Sequence, residues 1–374
     1  MDFYFVYSSG GGAGDWNAID RIFQTTMPEY FKDHILIKFG DIFFNHRSSN
    51  SIIKPRNWSL VDDARQWLIN NTGDQTLRTT PNLIMDVGTT KIVSYITASN
   101  PNLSCNQIVS QFDRIMSQER ILEKYCGIVN TSNIDYAVTF DIPNLFKVRT
   151  QAGIVDRDIF SDPGTKPLLI DACVRYANEI YRGTGRNADK LLTIISAGWN
   201  NDDIEGYLSR LDYTPTKLGI GGLTDYNRST MGERLQSIDS LVDFDSMNRV
   251  HFLGCGGLKK AQIIKEVLGN RSNFSVDNTT AYNRSIDGNT SGSSMSGYFD
   301  YASKDMIRIC PDTKQQILNL HRASEDVAYF SVDEMESILD SILLHQSNRS
   351  STTTYENRAR LIIHNFDVFR YNAE

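Results

Sequence analysis

Three aspartates each close a short apolar run: Asp86 follows Leu83-Ile84-Met85, Asp141 follows Tyr136-Ala137-Val138-Thr139-Phe140, and Asp277 follows Asn273-Phe274-Ser275-Val276. A carboxylate held where a buried strand ends has three chemical uses. It attacks a sugar carbon as a nucleophile, moves protons as a general acid and base, or accepts hydrogen bonds from the N–H edge of a ligand. Any one such aspartate can equally cap the helix that follows its strand. Three on one rim are what a site built from carboxylates requires.

The surrounding pattern indicates how they reach one rim. Further runs end in small or polar residues: Leu191 to Ile195 before Ser196-Ala197-Gly198-Trp199, Leu218-Gly219-Ile220 before Gly221-Gly222-Leu223, and Val250-His251-Phe252-Leu253 before Gly254-Cys255-Gly256-Gly257. Amphipathic stretches at 106–125, 168–182, 202–211, 230–242 and 258–268 lie between the runs. Runs that are apolar throughout are strands covered on both faces, and strands alternating with helices make an α/β protein. The chain lacks a GxGxxG after its first run and a Walker motif, which argues against a nucleotide-binding open sheet. Six successive strands with polar or small C-terminal ends select a (β/α)8 TIM-type barrel with insertions and a C-terminal helical extension, because barrel chemistry sits on that face. Met1 to Tyr7 reads as a first strand, without the basic start of a signal peptide. Residues 1–346 are expected to form the barrel domain, and 347–374 a polar linker, centred on 347–354, and a last helix. The Gly-, Ser- and Asn-rich stretch 283–299, just after the Asp277 strand, is a surface loop or a lid over the site.

Composition narrows the classes. With 374 residues, 40% of them hydrophobic and 22% charged, the chain can bury a large core. A net charge of -7 opposes coating of nucleic acid by an overall positive field but leaves room for a local basic groove. Lys54, Arg56, Lys147, Arg149, Arg182 and Arg186 form no run from which such a groove could be read. Five cysteines without a CxxC pair indicate reduced thiols rather than disulfides or a zinc knuckle. No apolar stretch approaches the roughly 18 residues of a membrane span. A soluble, cytoplasmic protein without cofactor, metal or membrane partner is expected. His251, alone on an apolar strand, reads as a satisfied core residue.

Taken in order, these motifs resemble the tRNA-guanine transglycosylase superfamily. Met85-Asp86-Val87-Gly88 resembles its D-S-G-G element, Phe140-Asp141 its F-D element, and Ile194 to Trp199 its V-Q-G-G strand. Gly219 to Leu223 resembles its G-G-L turn, Val250 to Gly254 its H-x-L-G strand, and Phe274 to Asp277 the strand bearing its nucleophile. The likeness runs from about 82 to 284. It implies that Asp277 attacks C1′ of a nucleotide and expels guanine, that Asp86 is the general acid/base, and that Asp141 reads the guanine-like N–H edge. Gly88 belongs to the same base pocket, while Gly198 and Trp199 occupy the V-Q-G-G position and Gly222 and Leu223 meet the ring substituent. Gly256, Gly257 and Lys259, opening a helix where barrels commonly bind phosphate, and Arg284 are candidates for polynucleotide phosphate; close packing and plain solvation are the competing explanations.

The departures point to a branch. Ala197 replaces the family's glutamine, and Thr89-Thr90 replaces an aromatic. Trp199 either supplies the lost stacking face or packs between strand and helix. Cys310 and His321 lie where the tRNA enzymes hold zinc, but the companion cysteines are missing, and two ligands cannot close a tetrahedral site. The chain therefore resembles most the DNA-directed transglycosylases of phages and bacterial modification clusters, which insert 7-deazaguanines such as the 7-cyano base preQ0. For a phage protein the location becomes the host cytoplasm. DNA would enter single-stranded or with its base flipped out. The same exchange on tRNA, a non-catalytic base- or nucleic-acid-binding subunit, and an unrelated metal-dependent hydrolase remain alternatives. A homodimer and accessory proteins are both left open.

Overall fold

The computed structural model describes every residue except 8–28, 46–49, 80–81, 144, 151–152, 159–161, 224–225, 279–295, 345–351 and 374. In chain order the strands are β1 (Asp2–Tyr7), β2 (His34–Lys38), β3 (Asn82–Asp86), β4 (Tyr136–Val138), β5 (Leu145–Thr150), β6 (Gly153–Asp158), β7 (Leu191–Ser196), β8 (Lys217–Gly221), β9 (Arg249–Phe252), β10 (Phe274–Asn278), β11 (Gly297–Phe299) and β12 (Met306–Arg308). Eight of them close a parallel barrel in the order β1-β10-β9-β8-β7-β4-β3-β2. The TIM-type α/β class expected from the sequence is the fold observed, with helices around it.

Strand alternation divides the apolar residues into two layers. Tyr4, Val6, Leu36, Ile84, Val138, Leu192 and Ile194 fill the inside of the barrel. Their neighbours in sequence, such as Phe3, Phe5, Ile35, Ile37, Leu83 and Met85, join the larger cluster between the sheet and the helices. The inside also holds a polar column. Asp2 pairs with Arg249 at 2.7 Å, and Arg249 donates to the Tyr4 hydroxyl at 3.1 Å. The Tyr4 ring meets His251 edge-on at 5.5 Å, and His251 bonds upward to Asp277 at 3.2 Å.

Helices Thr165–Thr184, Asn201–Leu208, Arg228–Val242 and Leu258–Leu268 coincide with four of the amphipathic stretches. The fifth, 106–125, is instead two helices, Cys105–Gln118 and Ile121–Thr131. Arg120 between them has φ 52°, a left-handed turn that periodicity does not announce. The β5–β6 hairpin, which leaves the chain soon after Asp141, and β2 were also not apparent from the pattern of apolar runs. The last helix, Thr352–Ala373, begins inside the stretch read as linker. Its Phe366 packs on Phe3, Phe5 and Phe31 at ring-centroid separations of 6.0, 4.5 and 6.2 Å, so it shields the outer face of β1. Burying one such ring is worth roughly 1.5–3 kcal/mol. Among the described residues no helix is long and apolar enough to cross a membrane.

Candidate active site

Asp277 is the most strongly held of the three aspartates. It lies in β10 beside Tyr4 of β1 and is 4% exposed. Its Oδ1 accepts the Gly254 backbone N–H at 2.7 Å and meets Nε2 of His251 at 3.2 Å. The other ring nitrogen, Nδ1, meets the Ser275 hydroxyl at 2.9 Å. Burial alone pushes the Asp277 carboxyl up. The hydrogen bond and charge of His251, the Gly254 N–H and the more distant Lys38 together outweigh it, and hold the carboxyl below the usual range. Asp277 is thus a buried carboxylate kept ionised, and among the described residues only one of its oxygens is engaged.

Asp86 ends β3 directly beside Lys38 at the end of β2. Burial, and then the charge of Asp277, raise its carboxyl above the ordinary value against the opposing pull of Lys38 and of the Val87 and Gly88 N–H groups. The Val87 N–H bond to its Oδ1 is 2.7 Å. Lys38 itself is partly buried; burial disfavours its ammonium, but Asp86, Asp41 and Asp277 more than restore it, so it stays charged. Asp41 is already paired with Lys91 at 2.5 Å, which leaves Asp86 as the leading attraction. Two carboxylates on one rim pushed in opposite directions, one of them beside a cation, are the arrangement that suits a nucleophile and a proton carrier.

Asp141 lies just beyond β4 and accepts from the Thr89 hydroxyl at 3.2 Å. Burial first, and then Asp86, push its carboxyl up to about 6. A carboxyl raised in the folded state binds its proton more tightly there than when unfolded. It adds stability below the ordinary value and loses that contribution as pH rises through about 6. Asp141→Asn is therefore expected to raise the unfolding free energy by roughly 1–3 kcal/mol near neutral pH. Urea unfolding at about pH 7.5 and about pH 4 checks it: the gain must vanish at the lower pH.

The other expected site residues separate into groups. Gly88 has φ 67°, and a Cβ there would lie 3.3 Å from the Gly40 backbone, so this glycine lets the β3 turn close on the β2 turn. Gly198 and Gly222 are exposed at the ends of β7 and β8, and Gly222 has φ 79°. Leu223 is buried and its carbonyl accepts from Lys260 at 2.8 Å. Of the two alternatives for Trp199, packing is the one observed and the stacking face is not: its indole is 2% exposed and packs edge-on against Tyr207 at 5.1 Å. The strand-end turn sends it back into the layer under helix Asn201–Leu208, where no base can stack on it. Gly256 is explained by close approach. A Cβ there would lie 2.6 Å from the Phe3 ring and 3.1 Å from the Asp277 carbonyl, and its N–H donates to that carbonyl at 2.8 Å. At Gly257 a Cβ would meet the Asn278 amide at 2.9 Å. Lys259 is exposed on the first turn of helix Leu258–Leu268. Arg284 and most of the 283–299 stretch lie outside the described residues.

Where the tRNA enzymes would hold zinc, the polar groups have local partners. Cys310 Sγ lies 3.4 Å from the Thr313 hydroxyl, while His321 meets the Tyr298 hydroxyl at 3.2 Å and the Phe330 carbonyl at 2.9 Å. Among the described residues no group of three or more His, Cys, Asp or Glu side chains converges as a metal holder.

One residue of this rim escaped the sequence reading, and a second was read only as core. Lys38 closes the apolar run of β2 with a base instead of an acid. His251 is a core residue, as expected, but its ring nitrogens are committed to Ser275 and Asp277. The alternation His251, Leu253 on one strand and Ser275, Asp277 on the next was the available signal: residues of one parity on adjacent strands face the same interior. Compared with protein-family models the chain matches none, and no curated protein is similar enough to count as a relative.

Proposed function

We propose that this protein exchanges guanine in DNA for a 7-deazaguanine such as preQ0, as a transglycosylase of the tRNA-guanine transglycosylase type. The observation that carries the reading is the placement of Asp277, held by the Gly254 N–H and His251, on one barrel rim with Asp86, the two carboxyls being pushed in opposite directions. In the first half, an Asp277 oxygen forms a bond to C1′ while the bond from C1′ to N9 breaks, and Asp86 protonates the departing guanine. In the second, Asp86 takes the proton from N9 of the incoming base, which bonds to C1′ and returns the electron pair to Asp277. The two-step route retains configuration. Asp141, ionised above about 6, accepts the N–H edge that distinguishes guanine-like bases. DNA is preferred over tRNA because the cysteines that accompany Cys310 and His321 in the zinc site of the tRNA enzymes are missing from the sequence, and Gly198-Trp199 stands in place of Gly-Gly.

The test is transfer of radiolabelled guanine or preQ0 into duplex DNA, single-stranded DNA or tRNA. Label entering DNA supports the reading. Label entering tRNA alone keeps the chemistry and replaces the polymer. A folded protein that labels none of them is a base- or nucleic-acid-binding subunit.

A further inference from the structure

Beneath the Asp277 carboxylate, the barrel interior holds a second polar pair that the exchange reaction as described does not use. His251 is fully buried, and its ring nitrogens meet Ser275 Oγ at 2.9 Å and Asp277 Oδ1 at 3.2 Å. Ser275 is buried as well. Gly254 supplies a second donor to the same Oδ1 at 2.7 Å. Both contacts fall on one oxygen, and Oδ2 carries none among the described residues.

We propose that His251, its tautomer set by Ser275, is the positioning residue that reserves Oδ2 of Asp277 for bond formation and makes the same carboxylate a good leaving group in the second half-reaction. This rests on the transglycosylase reading. Donation from Nε2–H to the carboxylate leaves Nδ1 as an acceptor, and the Ser275 hydroxyl is the donor placed to fill it. When Oδ2 bonds to C1′, Oδ1 becomes the carbonyl oxygen of the glycosyl ester, with Gly254 N–H and His251 Nε2–H still directed at it. Two donors on that oxygen stabilise the negative charge that returns as the C1′–Oδ2 bond breaks. They also make the resting carboxylate a weaker nucleophile, so the pair favours the second step more than the first. Below His251, Tyr4 of β1 presents its ring edge-on to it, and Arg249 pairs with Asp2 and donates to the Tyr4 hydroxyl. Lys38 from β2 and Asp86 from β3 act on Asp277 through charge.

The experiment uses an oligonucleotide substrate and the full chain, with guanine release, label transfer and the covalent protein–DNA species on a denaturing gel followed separately. In His251→Phe, transfer to the incoming base is expected to slow roughly ten- to a hundred-fold, the range for losing a hydrogen bond to a charged group. Guanine release is affected less, so the covalent species accumulates. His251→Gln, which keeps an N–H donor, should restore part of the transfer rate. Ser275→Ala removes one hydroxyl and little volume; it tests the relay should the Phe variant fail to fold, and it should move the acidic limb of the rate profile upward. Equal slowing of both steps in His251→Phe, or a Ser275→Ala profile that superimposes on wild type, overturns the proposal. Wild-type protein that transfers no label overturns the function reading beneath it instead.

Discussion

Asp277→Asn is expected to abolish base exchange, with a loss of about 10^4-fold or more, the scale seen when a covalent nucleophile is removed. No covalent protein–DNA species should form. The structure makes this a clean substitution. The asparagine amide keeps a carbonyl oxygen for the Gly254 N–H, now 2.7 Å from Oδ1, and fills the same volume. What disappears is the negative charge and the nucleophilic oxygen. Neutralising the side chain also removes its repulsion of Asp86, so the change in unfolding free energy should stay within roughly 1–2 kcal/mol. The capping explanation for a strand-end aspartate predicts the reverse, a protein that loses stability and keeps activity. Single-turnover transfer and urea unfolding on the same preparation separate the two. A variant that still transfers label at a tenth of the wild-type rate would remove Asp277 from the reaction.

How much of this was readable from the chain follows from the physics of each feature. A strand covered on both faces must be apolar, so β3, β7, β8, β9 and β10 were visible as runs, and the residue ending each run marks the barrel mouth. Asp86 and Asp277 were found that way. Lys38 was not, because the apolar run Ile35 to Ile37 ends in a lysine, whereas the runs that stood out end in acidic or small residues. Its importance depends on β2 lying beside β3 in the closed barrel, a pairing that no local pattern specifies. The sequence leaves Trp199 between two alternatives for a related reason. A tryptophan at a strand end can turn to the mouth or to the helix layer, and only the shape of the Ser196–Trp199 turn and the presence of Tyr207 decide. The glycines at 256 and 257 carried two explanations until their backbone proved to touch Phe3, Asp277 and Asn278. Position along the strand was legible; partners across the barrel were not.

The second large effect concerns Asp86 and its neighbour Lys38. Asp86→Asn removes the group that must protonate guanine and then deprotonate the incoming base, and exchange should fall by roughly 10^2–10^4-fold. The lysine supplies a test of sign. Burial and the charge of Asp277 already raise the Asp86 carboxyl, and Lys38 is the leading influence in the other direction. In Lys38→Met that opposition is gone, so the carboxyl rises further and remains protonated to higher pH. The acid role survives this change, but the base role does not, because the second half-reaction begins from the carboxylate. Asp277, also lowered by Lys38, shifts the same way. The acidic limb of the rate profile should therefore move upward by about 1–2 pH units, within the span a nearby opposite charge commands. Activity would be depressed most on the acidic side and recover as pH is raised, while Lys38→Arg should keep the wild-type limb. A Lys38→Met profile lowered by the same factor at every pH would instead mean that the lysine binds substrate or supports the fold. The distinction needs no ligand-bound structure, because only an effect transmitted through the ionisation of Asp86 and Asp277 changes the shape of the curve rather than its height.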